Sequence, residues 1–304
     1  MLTDIAFSSI RIATPLVLAA LGGLYTYQAG ILNIALDGFM IVAAFAAVSA
    51  AYATGSLAAG VLAGVLSSVA LAVVLALFNL RFRAHIFIAG IAVTFLAYGL
   101  TALLLKSVLG QDGVFSSPNI PAFPPIQIPL LADAPVLGPL LSGHTLLVYL
   151  AYLSVPCVWW TLYRTRWGLR VRMIGESDEA ARSAGVPVER IKFDTMVVSG
   201  IFCGLAGAYL SLGYVSLFAR QMNDERGLIA LAAIFFAKGR PFRTTAVAVM
   251  FGVATALAVR LPEMTGVAPQ LLQMIPYVVT VLALVIVGLR ARQAGGAGGW
   301  RFET

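Results

Sequence analysis

Charged side chains are scarce: Asp, Glu, Lys and Arg make up 11% of the 304 residues, against 60% that are hydrophobic. Soluble domains carry about 25% charged residues, so this chain cannot coat a water-facing surface. Soft metal and redox ligands are as rare, with two cysteines, Cys157 and Cys203, and two histidines, His85 and His144. Both cysteines stand inside apolar runs, which leaves no disulfide framework and no metal-ligand spacing. The histidines begin two runs that would start at opposite membrane faces, so they cannot share a metal. No Walker-type G-x-x-x-x-G-K-[ST], H-E-x-x-H or G-x-S-x-G occurs. Carboxylates within apolar segments, which proton-coupled carriers use, are almost absent. Asp37 is one, with Asp224 and Glu225 near the outer end of a later run, and a lone carboxylate makes no aspartyl dyad. These absences leave no catalytic residues, no metal site and no cofactor for this chain to hold.

Long apolar runs are what the chain does have. Residues 12–36, 38–80, 84–105, 134–163, 195–219, 244–259 and 264–289 contain no charged side chain. A helix needs roughly 20 apolar residues to cross a hydrocarbon core of about 30 Å. The run from Gly38 to Leu80 is therefore two crossings, divided near Thr54-Gly55-Ser56. The first run lacks the basic start and cleavage site of a secretion signal and reads as a span. Nine spans result, near 10–28, 33–53, 57–79, 85–106, 144–163, 191–213, 222–239, 244–261 and 271–289. The expected fold is an all-α polytopic membrane protein in one domain over 1–293, with a Gly-rich flexible tail at 294–304.

The net charge of +7 does not indicate a nucleic-acid partner, because the basic residues gather in short loops between the runs. With the N-terminus outside and the C-terminus in the cytoplasm, 15 of the 20 basic residues fall inside, as the positive-inside bias requires. The seventh span is unusual, since only Gly227 to Ala237 separates Arg226 from Lys238. A re-entrant path there would erase the bias, so a short or broken crossing shielded by other helices is expected. Residues 107–143 hold seven of the 14 prolines. Proline fixes φ and removes a donor, so this outer segment reads as a stiff connector and a candidate contact for an extracytoplasmic protein.

The longest cytoplasmic loop, 164–192, spells out a small helix. Ser177 suits the N-cap, with Asp178 and Glu179 in the first turn where the helix dipole favours negative charge. Either acid can pair with Arg182. Gly185 suits a left-handed C-terminal position, and Pro187 the start of the next helix.

Three stretches carry a family resemblance. Glu179-Ala180-Ala181 followed by Gly185 resembles the E-A-A-x-x-x-G loop of ABC-transporter permeases, within a wider string, Arg164-Thr-Arg-Trp-Gly-Leu-Arg170 through Gly175-Glu-Ser-Asp-Glu-Ala-Ala-Arg-Ser-Ala-Gly185, similar to importers of simple sugars and nucleosides. Gly30-Ile-Leu-Asn-Ile-Ala-Leu-Asp-Gly38 resembles the N-[IL]-A-x-[ED]-G motif of the nucleoside-type members, with Asp37 where glutamate is commoner. Arg226-Gly-Leu-Ile-Ala-Leu-Ala-Ala-Ile-Phe-Phe236 resembles their R-G-x-I-A-L-A-A segment. The resemblance spans about residues 10–290. It implies a permease of the bacterial inner membrane, with ATP and Mg bound by partner ATPase subunits. Those subunits would dock on Glu176, Ser177, Asp178, Glu179, Ala180, Ala181, Arg182 and Gly185. It also implies an extracytoplasmic substrate-binding protein and a second permease, with a heterodimer expected because the chain resembles the smaller nucleoside-type partner. The resembled permeases usually carry one additional N-terminal span.

Ile34-Ala35-Leu36 recurs as Ile229-Ala230-Leu231, each time at the start of the second span of a four-span block. An odd number of spans separates the blocks, so two inverted four-helix blocks around a linking helix are expected, with the site at their interface. The expected solute path gathers Gln28, Asn33, Asp37 and Gly38 at one junction and Gly227, Ile229 and Ala230 at the other. Asn33 and Asp37 could equally serve only to cap and orient a helix end. A nucleoside or purine is preferred over a simple sugar by resemblance alone. The alternative class is an ion-coupled secondary carrier using Asp37 or Glu225.

Overall fold

The computed structural model describes residues 2–127 and 142–265. Its helices, in chain order, are α1 (Leu2–Gln28), α2 (Leu36–Thr54), α3 (Leu57–Ala76) and α4 (Ile86–Leu109). A two-residue strand β1 (Val114–Phe115) follows, then α5 (Leu146–Arg164), α6 (Arg166–Glu176), α7 (Asp178–Ser183) and α8 (Val188–Ala208). Strand β2 (Phe218–Ala219), α9 (Arg226–Phe236) and α10 (Pro241–Thr265) complete the order. Among the described residues, seven helices are long and apolar enough to cross a membrane, carried by α1 to α5, α8 and α10, and α9 is a shorter apolar helix. The expected ninth span at 271–289, the tail at 294–304 and residues 128–141 of the proline-rich segment lie outside the described residues.

The architecture follows from where small residues sit. α1 and α2 form the interior, while α3, α4 and α5 carry exposed Leu, Phe and Trp side chains on their outer faces. Water is no driving force between helices in lipid, so close packing at Gly and Ala does the work. A Cβ at Gly204 of α8 would meet the Val65 Cα at 2.7 Å, and one at Gly64 would meet the Ala43 carbonyl at 3.0 Å. Ser68 seals the same contact, its hydroxyl donating to the Gly200 carbonyl at 2.7 Å. Short π-helical segments extend α3 through Leu77–Arg81 and α8 through Tyr209–Tyr214.

The molecule has two distinct ends. At one, β1 pairs antiparallel with β2, Phe115 opposite Phe218, and Phe7 near the start of α1 stacks on His144. At the other, the last turn of α1 meets α6, where Gly30 and Gly175 approach closely, and the α9–α10 turn, where the Gln28 side chain donates to the Gly239 carbonyl. α1 connects them, 27 residues or about 40 Å at 1.5 Å per residue.

The 164–192 segment matches the sequence at its cap and differs in its ion pairs. Ser177 Oγ accepts from the Ala180 N–H at 3.2 Å, and Gly185 has φ +75°. Asp178 is bound by Lys192 rather than Arg182, whose guanidinium lies 3.4 Å from Glu189. The first turn of α8 packs beside α7 and offers closer partners than α7's own surface. An additional helix, α6, precedes it, with Thr165 Oγ1 accepting from the Gly168 N–H at 3.0 Å.

Candidate functional site

The site is built where two helices begin midway along the bundle. α1 closes at Gly30 in a left-handed conformation, and the Ile31 N–H returns to the Thr26 carbonyl. The chain then runs unwound to Asn33, whose Oδ1 accepts from the Ala35 N–H at 3.0 Å while its Nδ2 donates to Ser199 Oγ at 3.2 Å. α2 starts directly afterwards and places Asp37 in its first turn.

From the other half of the chain, the segment after β2 descends to the same level. Three of its residues, Gln221, Asp224 and Glu225, have positive φ of +58°, +48° and +56°. Such backbone is costly for residues with a Cβ and persists where surroundings over-determine it. α9 then starts at Arg226 and leads to Gly239 beside Gln28. Eleven residues at 1.5 Å each make it about 16 Å long. The starts of α2 and α9 therefore meet well inside the bundle, and from there the helices leave toward opposite ends.

Asp37 joins them. Its Oδ1 accepts from the Gly227 N–H at 3.0 Å, its Oδ2 accepts from the Tyr98 hydroxyl of α4, and its backbone carbonyl accepts from Asn223 Nδ2 at 2.7 Å. The residue before α9, Glu225, provides no capping side chain. A carboxylate from another element fills that role, where the helix dipole favours negative charge. Glycine at 227 is required sterically: a Cβ there would stand 2.6 Å from the Asp37 Cβ. Gly38 plays the same part toward α4, since its Cβ would meet the Thr94 Cα at 2.8 Å.

Beside this junction lies a cleft of about 710 Å³, open on one side. Its polar groups include Thr94, Asp37, Gln221, Asp224 and Glu225, and its walls include the rings of Phe87, Phe95 and Tyr98. No Lys or Arg lines it among the described residues. Phe95 is 71% exposed, so the open side is a surface of this chain rather than its core.

Comparison with known proteins decides the family. The family model described as the permease component of the branched-chain amino acid transport system matches residues 5–284. The chain belongs to this permease family. It is a permease component of an ABC importer, a transport protein and not an enzyme, with ATP handled by a partner ATPase. The permease is 32% identical over 298 residues to the guanosine ABC transporter permease protein NupQ of Bacillus subtilis, covering 93% of this chain and 91% of that one. It is 29% identical over 285 residues to the nucleoside ABC transporter permease protein NupC of Lactococcus lactis, covering 90% and 89%. TsgC13 of Haloferax volcanii, provisionally named as a glucose ABC transporter permease protein, is 32% identical over 300 residues, covering 91% and 89%.

Of the residues expected to line a path, the permease brings Asn33, Asp37, Gly38 and Gly227 to one junction, with Asp37 alone of them lining the cleft. Asn33 is buried behind it against Ser199. Ile229 and Ala230 are absent from the lining, where the helix period presents Leu228 and Leu231 instead. Gln28 is elsewhere, at the far end of α1 in a second cleft. Tyr98, Asn223, Phe87 and Phe95 were not singled out by the sequence. Tyr98 had a legible signal, as a hydroxyl-bearing residue inside a charge-free run, whereas Asn223 had none.

Proposed function

We propose that this permease forms half of the translocation pathway for a neutral nucleoside or purine, with the cleft beside Asp37 as its half of the solute site. The observation that carries the reading is the pairing of three carboxylates with three aromatic rings and no lining cation among the described residues. Carboxylates accept hydrogen bonds from hydroxyl and amino groups, and aromatic faces stack on planar rings. An amino-acid carboxylate or a phosphorylated solute would meet like charge, at a cost that grows in a low-dielectric wall. The names of NupQ and NupC favour the same cargo, and that of TsgC13 favours a sugar as the second reading.

The remaining features form one scheme with this. The open side of the cleft suits a second permease completing the walls, a heterodimer partner in our reading. The opposed starts of α2 and α9 support two inverted blocks, spans one to four and six to nine around span five, with nine crossings in all. The N-terminus lies outside and the C-terminus in the cytoplasm of the inner membrane, as the distribution of basic residues favours. Residues 176–185 then face the cytoplasm as the lever on the ATPase, and the proline-rich segment faces the binding protein.

Uptake of radiolabelled adenosine, guanosine, ribose and galactose by cells with and without the system tests the cargo. Loss of nucleoside uptake alone is expected on deletion. Loss confined to the sugars would reject the nucleoside reading. Transport by this chain alone in liposomes, driven by an ion gradient without ATP, would reject the scheme as a whole.

A further inference from the structure

A second cleft, of about 660 Å³, opens at the end of the molecule that carries α6 and α7. Arg172, Lys238 and Arg240 line it with Tyr27, Gln28 and Tyr163, and Glu176 is its only carboxylate among the described residues. The basic groups are held in place. Arg172 stacks on Tyr163, its Cζ 4.7 Å from the ring centroid, and its Nε donates to the Leu162 carbonyl at 3.1 Å. Its two terminal nitrogens have no hydrogen-bond partner among the described residues. Lys238 and Arg240 flank Gly239 in a turn with φ of +50° at Lys238 and +65° at Gly239. Gly239 lies so close to Tyr27 that a Cβ would stand 2.6 Å from its ring, which fixes the turn against α1. None of the three cations forms an ion pair among the described residues.

A smaller cleft of about 360 Å³ adjoins it, sharing Tyr163 and Arg240 and adding Trp159, Phe242 and Arg243. Trp159 and Phe242 pack with ring centroids 6.2 Å apart. The adjacent Trp160 is 58% exposed and Phe242 54%, on the outer faces of two membrane-length helices. A cationic pocket thus opens onto an aromatic flank at the boundary of a membrane segment, where Trp and Tyr favour the interfacial level.

We infer that this joined cleft binds an anionic phospholipid, with its phosphate on Arg172, Lys238 and Arg240 and its acyl chains along Trp159 and Phe242. Guanidinium groups match phosphate oxygens in paired hydrogen bonds, and basic pockets between membrane helices suit anionic headgroups. A soluble subunit is the poorer occupant, because the cleft shares only Glu176 with the segment assigned to the ATPase and its flank is lined by the apolar rings of Trp159 and Phe242. The inference uses only the membrane-spanning character of the chain and stands apart from the choice of cargo.

Purify the full chain, with the subunits that copurify, and measure retention of phosphatidylglycerol against phosphatidylcholine of the same chains by native mass spectrometry. Retention of phosphatidylglycerol by the unaltered protein, with little phosphatidylcholine, is expected. Lys238→Gln with Arg240→Gln should weaken it about 30-fold, since each basic group near an anionic headgroup contributes a factor of about five. Phe242→Ala, at an exposed position, should weaken both lipids and serves if the double variant does not fold. Phosphatidylglycerol retention by both variants at the level of the unaltered protein would overturn the proposal. So would displacement of the lipid by millimolar inorganic phosphate, which marks a free-phosphate site. Loss of the copurifying ATPase with lipid retention unchanged would assign the cleft to that subunit instead.

Discussion

Replacing Gly227 with alanine tests the junction at its tightest point. The new Cβ would stand 2.6 Å from the Asp37 Cβ, where unstrained carbons keep about 3.5–4.0 Å. The start of α9 must therefore retreat from α2 by about 1 Å. That displacement stretches the Gly227 N–H to Asp37 Oδ1 contact from 3.0 Å to about 4 Å, beyond hydrogen-bonding range. An interhelical hydrogen bond in a membrane contributes about 0.6–1.7 kcal/mol, and overpacking costs about 1–3 kcal/mol. Alanine's better helix propensity returns up to about 1 kcal/mol, so a net loss of about 1–4 kcal/mol is expected. Gly99 of α4 is the control, since a Cβ there meets nothing within 4 Å. Gly99→Ala should be neutral or stabilising by up to about 1 kcal/mol. Thermal unfolding in detergent, followed by tryptophan fluorescence, gives the comparison, and solute uptake below the melting point gives the functional consequence. If Gly227→Ala melts with Gly99→Ala and transports as well, α2 and α9 are not locked through this contact.

Tyr98→Phe and Asp37→Asn, made singly and together, should show a coupling of about 0.6–1.7 kcal/mol in the same unfolding assay, because the Tyr98 hydroxyl donates to Asp37 Oδ2; additive effects would remove Tyr98 from the junction. Asn33→Leu should lower uptake through lost support of the α2 start, as Asn33 bonds both Ala35 and Ser199, and unchanged uptake in an assembled complex would separate Asn33 from the path. Glu179→Arg should leave membrane insertion intact while weakening copurification of the ATPase and transport together, and normal assembly would count against α7 as the docking helix. Gly185→Val should cost about 1–2 kcal/mol through backbone strain alone, since φ there is +75° and the site is sterically open; Gly185→Asn, which tolerates that conformation, should restore most of the loss, and equal behaviour of the two would refute a conformational cause.

How much of this was legible depends on whether the signal was local. Seven of the nine expected spans coincide with described helices of membrane length, because charge-free runs that long leave the backbone no other way to satisfy its donors, while the seventh is the shorter helix α9. The cap at Ser177 and the left-handed Gly185 were legible for the same reason, since a cap is decided by residues within one turn. Ion pairs of α7 were not. Local spacing favoured Arg182 for Asp178, but Lys192, carried back by the fold of the loop, takes it. The path residues fail in the same manner. Gln28 stands close to Asn33 in sequence, yet the left-handed Gly30 and the unwound chain around it part them, with Gln28 lining the second cleft and Asn33 buried behind the first.

The junction itself shows why the motif could be found and its chemistry could not. Asn33-Ile-Ala-Leu-Asp-Gly38 and Arg226-Gly-Leu-Ile-Ala-Leu are conspicuous in the sequence, and each alone reads as the start of an apolar helix. Their meaning lies between them. A glycine in one permits the backbone of the other to approach, and a carboxylate in one caps the helix of the other across 190 residues of chain. Local propensity cannot encode that exchange, since Asp37 sits in α2's first turn whether or not α9 is present. The exchange also explains the three left-handed residues before α9. Glu225 gives up the capping position to Asp37 and turns with Asp224 and Gln221 toward the cleft. Capping from outside thus frees the local acidic side chains to face a solute, which ties the packing of two helix starts directly to the polarity of the wall between them.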